Sequence, residues 1–198
     1  MLRLGRDEEL RQSAGMKAFL DFEASSLSPR SHPIEVAWVF EDGRSESHLI
    51  RPAESWTDWD DRSQAIHGIT QDELAARGEP VELVAARMVE TLSDHELFAS
   101  APSWDGKWLS VLLRGADFPR RALRLRDTDD AVRATATEIL GAVLMPDQLT
   151  TAVERILTDA YAARGGTPRH RALADAIEER ETWLRARTAA LDLLRDLT

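Results

Sequence analysis

The chain contains no cysteine among its 198 residues. Disulfide bonds, thiolate catalysis and cysteine-based zinc or iron–sulfur sites are therefore excluded. Long apolar runs are also missing, since no segment approaches the roughly 18 consecutive apolar residues that a membrane-spanning helix needs. The shares of hydrophobic residues, 43%, and charged residues, 30%, are ordinary for a globular protein. We therefore expect a soluble domain with no membrane partner.

Positive charge is scarce as well. The chain has 25 Lys and Arg against 35 Asp and Glu, and its net charge is −10. This balance argues against a protein that coats long nucleic acids through a broad basic face, because such binding depends on many Lys and Arg contacts to phosphates. A nuclease whose substrate phosphates are met locally by metal ions stays compatible with the acidic composition.

The N-terminal segment at 1–16, MLRLGRDEELRQSAGM, mixes both signs of charge and lacks the apolar core of a secretory signal. We interpret it as a polar extension and expect a cytoplasmic location. Residues 17–198 are expected to form a single domain whose C-terminal part is helical. No internal repeat divides this domain.

Three short strands separated by turn signals open the domain. They are KAFLDFE at 17–23, PIEVAWVFEDG at 33–43 and SESHLIRP at 45–52. Their spacing predicts an antiparallel meander. From 71 to 94 the apolar positions recur at helical spacing, and from about residue 129 the chain is again helical.

Two further strands are predicted between these helical regions. HELFASAP at 95–102 and RALRLRDT at 121–128 are the candidates, and the segment between them, SWDGKWLSVLLRGA, is predicted to be a helix that ends at Gly115. Strands first, then alternating strands and helices, then helices predict an α/β fold with helices on the faces of a mixed sheet.

Two carboxylates interrupt the first apolar strand. Asp21 and Glu23 project to the same face of a strand, while Phe22 points to the other face. Neighbouring carboxylates repel, and burying them is costly unless they are paired or bind a metal. A divalent cation resolves this conflict, and hard oxygen ligands suit Mg²⁺ or Mn²⁺. A chance arrangement is the alternative, since acidic residues are abundant.

A third carboxylate stands at a strand-to-helix junction. Asp105 follows the apolar strand candidate at 95–102 and opens the next predicted helix. Sites in α/β proteins commonly form at such junctions. In the alternative interpretation, Asp105 only complements the dipole at the helix N-terminus.

The segment GGTPRHRALADA, at 165–176, predicts a turn followed by a helix, with His170 at the helix start and Asp175 inside it. Five positions correspond to roughly 140° around a regular helix, so the two side chains share a site more easily if His170 lies in the loop or first turn. Alternatively, His170 is an exposed residue near the helix cap and Asp175 pairs with Arg171.

Taken in order, the segments LDFEAS, IHGIT, SWDGKWL and HRALADA resemble the DEDDh 3′–5′ exonucleases, the DnaQ-like or RNase T-like family with an RNase H-like fold. The resemblance spans roughly residues 17–185. It implies a mixed α/β sheet, antiparallel in its first three strands and then parallel, flanked by helices. It also implies metal-dependent hydrolysis of single-stranded or short nucleic acid from a free 3′ end, with release of nucleoside 5′-monophosphates.

The resemblance implies catalytic roles for five residues. Asp21, Glu23, Asp105 and Asp175 correspond to the carboxylates that bind two Mg²⁺ or Mn²⁺ ions in the family. His170 corresponds to the family's general base, which deprotonates the attacking water. An ordinary histidine pKa near 6.5 suits that proton transfer at neutral pH.

The resemblance also implies contacts with the substrate. By position beside the Asp-x-Glu motif, Phe22, Ala24, Ser25 and Ser26 would lie against the terminal base and sugar. His67, in IHGIT, would either contact the substrate or serve as a structural loop histidine.

The second motif departs from the family pattern, which commonly has an Asn two residues before a Phe-Asp pair. This chain reads PSWDGKW, without an Asn and with Trp104 at the Phe position. A weakly active or non-catalytic nucleic-acid-binding module on the same fold is therefore the alternative function. Trp104 and Trp108, four positions apart, are predicted to lie in the core. Trp56 and Trp59 either stack on bases or pack under their loop.

Two features outside the motifs leave alternatives open. Asp127 is either an extra carboxylate near the site or the cap of the next helix. The apolar stripe of the C-terminal helix either packs on the domain or forms the surface of a homodimer.

Overall fold

A computed structural model of the chain describes residues 15–165 and 170–198. Six strands in these ranges form one mixed sheet in the spatial order β4-β3-β2-β1-β5-β6. The strands are β1 (Lys17–Ala24), β2 (Pro33–Phe40), β3 (Ser45–Arg51), β4 (Glu79–Pro80), β5 (Glu96–Ala99) and β6 (Leu125–Asp127).

Seven helices accompany the sheet in the described ranges. They are α1 (Asp61–His67), α2 (Gln71–Arg77), α3 (Val81–Leu92), α4 (Pro102–Gly115), α5 (Thr128–Leu140), α6 (Pro146–Ala162) and α7 (Ala172–Leu197). Among these helices, none combines the length and the hydropathy needed to cross a membrane.

The predicted arrangement of strands is confirmed. β1, β2 and β3 pair antiparallel, whereas β5 lies parallel to β1 and β6 parallel to β5. The predicted RNase H-like mixed sheet is therefore the observed one. The predicted polar extension falls on residues 1–14, which lie outside the described residues, and on Gly15 and Met16.

Helices cover both faces of the central strands, which explains why β2 is buried at every position. On one face, Leu20 and Trp38 pack in a core with α3 and α4. On the other face, Phe19 packs in a second core formed with α5, α6 and α7. Because side chains alternate along β1, Asp21 and Glu23 share the face of Phe19 and point toward α7.

The helical pattern predicted over 71–94 is interrupted in the structure. α2 ends at Arg77, Gly78 leaves the helical conformation with φ −66° and ψ 140°, and β4 precedes α3. Pro80 disfavours a helical residue before it, so local backbone sterics override the apolar periodicity. Sequence reasoning also missed α1, which Asp60 caps by accepting from the Arg62 N–H.

The structure shows the roles of Asp127 and of the apolar stripe on the C-terminal helix. Asp127 caps α5, because its side chain accepts from the Asp129 N–H at 3.0 Å. α7 buries Trp183 and Ala186 in the core that it shares with α5 and α6, so its apolar stripe packs on the domain. A homodimer stays a prediction.

Candidate metal centre

The first two carboxylates lie at the end of β1, where the strand begins to leave its partner. The β1–β2 register shifts between Glu23 and Ala24, and both Asp21 and Glu23 are half-buried. Burial, followed by the charge of Asp105, raises the pKa of Asp21 well above its usual range. Burial and the charge of Asp175 raise the pKa of Glu23 to about 8. Burial and the neighbouring carboxylates therefore make the ionised forms of Asp21 and Glu23 unfavourable unless a positive charge compensates them.

The third carboxylate comes from α4, whose N-terminus is brought near β1 by the parallel pairing of β5 with β1. Asp105 is 2% exposed, and burial raises its pKa to about 7. Its Oδ2 atom is buried and has no hydrogen-bond partner in the described part of the chain. A residue that served only the helix dipole would have no reason to be buried with an unpaired oxygen.

The last two predicted residues meet Glu23 at the start of α7. Ligand atoms of Glu23, His170 and Asp175 all lie within 4.8 Å of one another. His170 precedes α7 and has a φ of 49°, a left-handed conformation that non-glycine residues seldom adopt. This is the loop placement that allows His170 and Asp175 to share one site.

An ion pair that sequence reasoning missed, between the buried Glu35 and the partly exposed Arg171, anchors this junction. Arg171 does not pair with Asp175; its Nη2 donates to Glu35 Oε1 at 2.7 Å, and its Nε donates to Oε2 at 3.1 Å. The Ala172 N–H also donates to Glu35 Oε2, at 3.0 Å. Glu35 therefore caps α7 and fixes the segment that carries His170. The available signal was its position as an acidic residue inside the apolar strand PIEVAWVF.

Arg171→Ala is expected to lower the free energy of unfolding by about 3 kcal/mol, because it leaves the carboxylate of Glu35 buried without its ion partner. The side chain of Glu35 is 3% exposed, whereas that of Arg171 is 47% exposed. Because water already solvates part of Arg171, the expected loss of unfolding free energy is at the lower end of the range for breaking a buried ion pair. Urea unfolding followed by circular dichroism measures it. The double variant with Glu35→Gln should recover part of the loss, and equal midpoints for Arg171→Ala and wild type would contradict the assignment.

The loop after β1 is held by one carboxylate. Hydroxyls of Ser25, Ser26 and Ser28 all donate to Asp58, with distances of 3.1 Å from Ser25 and 2.7 Å from Ser28. Burial opposes ionisation of Asp58, but these hydrogen bonds prevail and lower its pKa. The two serines predicted to contact substrate are thus buried and already hydrogen-bonded, and the loop that follows the metal ligands is fixed in place.

The other predicted substrate contacts are also buried. Phe22 is 4% exposed and lies in the core beside Ala24, so a substrate contact is not assigned to the Phe22 side chain. His67 Nδ1 accepts from the Ile69 N–H at 3.0 Å, and its ring packs edge-on against Trp59. These contacts favour the structural interpretation of His67.

Of the two tryptophans predicted to lie in the core, only Trp108 does so. Trp108 is buried, but Trp104 is 38% exposed beside Asp105, so placing Trp104 in the core was wrong. The Lys107 ammonium lies 5.1 Å from the centre of the Trp104 ring. Trp56 is half-buried and stacks on the ring of His32, and Trp59 donates to Gln64. Packing under the loop therefore accounts for both of these tryptophans.

The carboxylates border a cavity of about 860 Å³ between the sheet and α7. Asp21 and Asp175 line it, together with the Glu35–Arg171 pair. Arg164 and Glu179 line it as well, and neither was selected from the sequence. Glu179 is buried and stands four positions beyond Asp175 on α7, a spacing that helical periodicity makes visible once Asp175 is assigned.

The metal-free protein is expected to become less stable as pH rises from 6.5 to 8.5. Glu23, with a pKa of about 8, and Asp105, with a pKa of about 7, hold protons in the folded state that the unfolded chain has already released. Stability is therefore lost as pH rises through the folded pKa values, by about 2–3 kcal/mol over this window. The buried His32, with a pKa lowered to about 4, acts in the opposite direction only below this range.

Thermal unfolding in EDTA across that pH range measures the effect. Mn²⁺ should raise the midpoint more at pH 8.5 than at pH 6.5, because ligands must lose their protons to bind metal. Asp105→Asn should flatten the pH dependence in EDTA. A metal-free midpoint that does not fall with pH would show that these carboxyls are already ionised in the folded protein at pH 6.5.

The donor set fits hard divalent cations. An oxygen of Glu23 on β1 and one of Asp175 on α7 lie within 4.8 Å of a His170 ring nitrogen and of each other. Asp105 on α4 is outside this group but acts electrostatically on Asp21 and Glu23, and its Oδ2 lacks a protein partner among the described residues. Mg²⁺ and Mn²⁺ prefer oxygen ligands of this kind. Asp21, Glu23, Asp105 and Asp175 are the residues that would hold such ions.

No protein-family model matches the chain, and no curated protein matches it. Solved structures of exonuclease I are similar to it. A zinc-bound complex of the E. coli enzyme with single-stranded DNA has a TM-score of 0.63 at 18% identity, covering 92% of this chain and 42% of that chain. The E. coli enzyme with a dT13 oligonucleotide has a TM-score of 0.62 at 18% identity, covering 92% and 43%.

A product-bound exonuclease I has a TM-score of 0.62 at 19% identity, covering 92% of this chain and 45% of that chain. The chain thus spans less than half the length of these structures. They confirm the fold implied by the resemblance to the DEDDh exonucleases, the family of exonuclease I. The described part of this chain has the RNase H-like fold of exonuclease I.

Proposed function

We propose that this chain is a metal-dependent 3′–5′ exonuclease of the DEDDh family that releases nucleoside 5′-monophosphates. The observation that carries the proposal is the convergence of Glu23, His170 and Asp175 within 4.8 Å, beside the half-buried Asp21 and the buried Asp105. Carboxylates that carry raised pKa values in a cleft are typical of functional sites. Glu35, by contrast, is a buried carboxylate whose charge is neutralised by the protein itself, through Arg171.

Divalent ions at such a site, when bound, neutralise charge on the reacting phosphate and acidify the attacking water. The four carboxylates hold the charge that makes this binding favourable. In this proposal, His170 accepts the proton of the attacking water through a ring nitrogen, and its imidazole lies within 4.8 Å of ligand atoms of Glu23 and Asp175. Glu35 and Arg171 orient His170 through the α7 cap.

Trp104 supports a single-stranded substrate. It is exposed next to Asp105, and a base–aromatic stack is worth about 1–3 kcal/mol per base. Lys107 lies beside it and anchors the β1–β2 loop, because its Nζ donates to the Ser28 carbonyl at 2.6 Å and to Ser31 Oγ at 2.8 Å. Structures of exonuclease I in complex with single-stranded oligonucleotides support the same substrate class.

The test uses 5′-labelled single-stranded DNA and RNA oligonucleotides with Mg²⁺, with Mn²⁺ or with EDTA. A metal-dependent ladder that shortens from the 3′ end is the expected result, and the two sugars are compared in the same assay. Blocking the 3′ hydroxyl with a phosphate should abolish or delay the ladder. Internal cleavage of a circular single strand would instead identify an endonuclease.

The altered second motif favours one alternative, a nucleic-acid-binding module with little catalysis. The segment PSWDGKW lacks the polar Asn of the family, and Ala101 at the N-cap of α4 provides no side-chain hydrogen bond. This alternative predicts Mn²⁺-dependent stabilisation and oligonucleotide binding without a ladder. Failure of both metal binding and cleavage would reject the two functions together.

A further inference from the structure

Glu179 lies one helical turn beyond Asp175 on α7. Residues four apart lie on the same helix face, and both side chains line the cavity of about 860 Å³ that Asp21 also borders. Glu179 is 4% exposed. A carboxylate this deeply buried beside other carboxylates is unfavourable unless its charge is compensated.

In the described part of the protein, only one of the two carboxylate oxygens of Glu179 has a hydrogen-bond partner. Arg164 Nη2 donates to Glu179 Oε1 at 2.7 Å, whereas Oε2 is buried and has no hydrogen-bond partner among the described residues. Asp105 Oδ2 is likewise buried and has no hydrogen-bond partner among the described residues. One helix on each side of β1 therefore contributes a buried carboxylate oxygen without a protein donor.

The position of Arg164 is fixed by other contacts. Its Nε donates to Thr182 Oγ1 at 2.9 Å, and its guanidinium lies 4.3 Å from the centre of the Tyr161 ring. Because these contacts hold Arg164 on one side of Glu179, the second oxygen is left for another partner. The charge of Glu179 acts on the pKa of both Asp21 and Asp105, so its carboxylate lies within electrostatic reach of the two predicted metal ligands.

We propose that Glu179 is a fifth carboxylate of the metal centre: Arg164 holds Oε1, and Oε2 accepts a divalent cation or a water in its coordination shell. This inference rests on the proposed metal-dependent function. The cation or its water would give the unpaired oxygen of Glu179 a partner. The competing explanation is a purely structural ion pair that joins the end of α6 to α7.

Two variants separate the explanations. Glu179→Gln keeps an oxygen that can accept from Arg164 but removes the charge. Arg164→Gln breaks the ion pair but leaves the carboxylate. A metal role predicts that only Glu179→Gln weakens metal binding, while a structural role predicts that the two variants behave alike. Glu181→Gln is the matched control, because the side chain of Glu181 is 43% exposed and pairs with Arg180.

The experiment is calorimetric titration of the full chain with Mn²⁺ at neutral pH, with circular dichroism to establish that each variant is folded. Glu179→Gln should weaken Mn²⁺ binding roughly 10- to 100-fold, and Arg164→Gln and Glu181→Gln should not. Glu179→Asp keeps the charge on a shorter side chain and should give an intermediate loss of Mn²⁺ affinity. It replaces Glu179→Gln in the comparison if Glu179→Gln does not fold.

Wild-type affinity in Glu179→Gln, or equal losses in Glu179→Gln and Arg164→Gln, would overturn the role of Glu179. The proposed exonuclease function would survive either result, provided that the wild type binds Mn²⁺ and that Asp175→Asn does not. A wild-type protein that binds no Mn²⁺ would overturn both proposals.

Discussion

Asp21→Ala is expected to lower the rate of 3′–5′ hydrolysis by about 10⁴-fold or more while the protein stays folded. The residue is half-buried at the point where β1 faces α7, and its carboxylate is near those of Glu23, Asp105 and Asp175. Its removal deletes one of the ligands on which metal binding depends. It also relieves repulsion among the remaining carboxylates, so the metal-free variant should unfold at or above the wild-type temperature.

The labelled-oligonucleotide assay measures the rate, and thermal unfolding in EDTA and in Mn²⁺ measures the two stabilities. Asp94→Ala is the matched control, because Asp94 is an exposed acidic residue in the turn before β5. The combination of lost activity, lost Mn²⁺ stabilisation and retained metal-free stability is specific to a metal ligand. A folded Asp21→Ala protein with wild-type turnover would show that the reaction occurs elsewhere on the chain.

His170→Ala is expected to slow hydrolysis by roughly 10²- to 10⁴-fold, the usual contribution of a general base. Mn²⁺ affinity should change little, because the carboxylates carry the charge that holds the ions. The pH profile of the rate should also differ between the wild type and the variant, because the variant lacks the proposed proton acceptor.

The backbone of His170 needs its own control, since its φ of 49° is uncommon for a residue with a side chain. Asn tolerates this conformation better than most residues, so His170→Asn keeps the loop geometry and removes the imidazole. The two variants should be equally slow. A fast His170→Asn variant, or a wild-type pH profile in His170→Ala, would assign the proton transfer to another group.

The parts of the fold that local patterns determine were predictable. The meander of β1 to β3 follows from strand periodicity and turn residues, and the four family-like segments lie at the strand and helix ends where the resemblance implied. The helix predicted through Pro80 was wrong because apolar spacing does not register backbone sterics. The exposure of Trp104 was missed because periodicity assigns a helix face without showing what covers it.

The site was predictable only where charge interrupts an apolar pattern. Asp21, Glu23 and Asp105 stand out in this way. In the structure, burial and neighbouring carboxylates raise the pKa values of all three side chains. Glu35 carried the same signal, yet its partner Arg171 is 136 positions away. The hydrogen bonds of Ser25 and Ser26 to Asp58 also join separate segments, 33 and 32 positions apart. Contacts of this kind depend on how the elements pack.

The placement of α7 against β1 and β2 determines when the centre can come into existence. Asp21 and Asp175 are 154 positions apart (175 − 21), and bringing distant segments together is slow compared with forming a local hairpin. A nascent chain can therefore pair β1 with β2 well before it acquires His170 and Asp175. Until α7 (Ala172–Leu197) is synthesised and docked, the growing polypeptide lacks the side chains of His170 and Asp175, and the centre is incomplete.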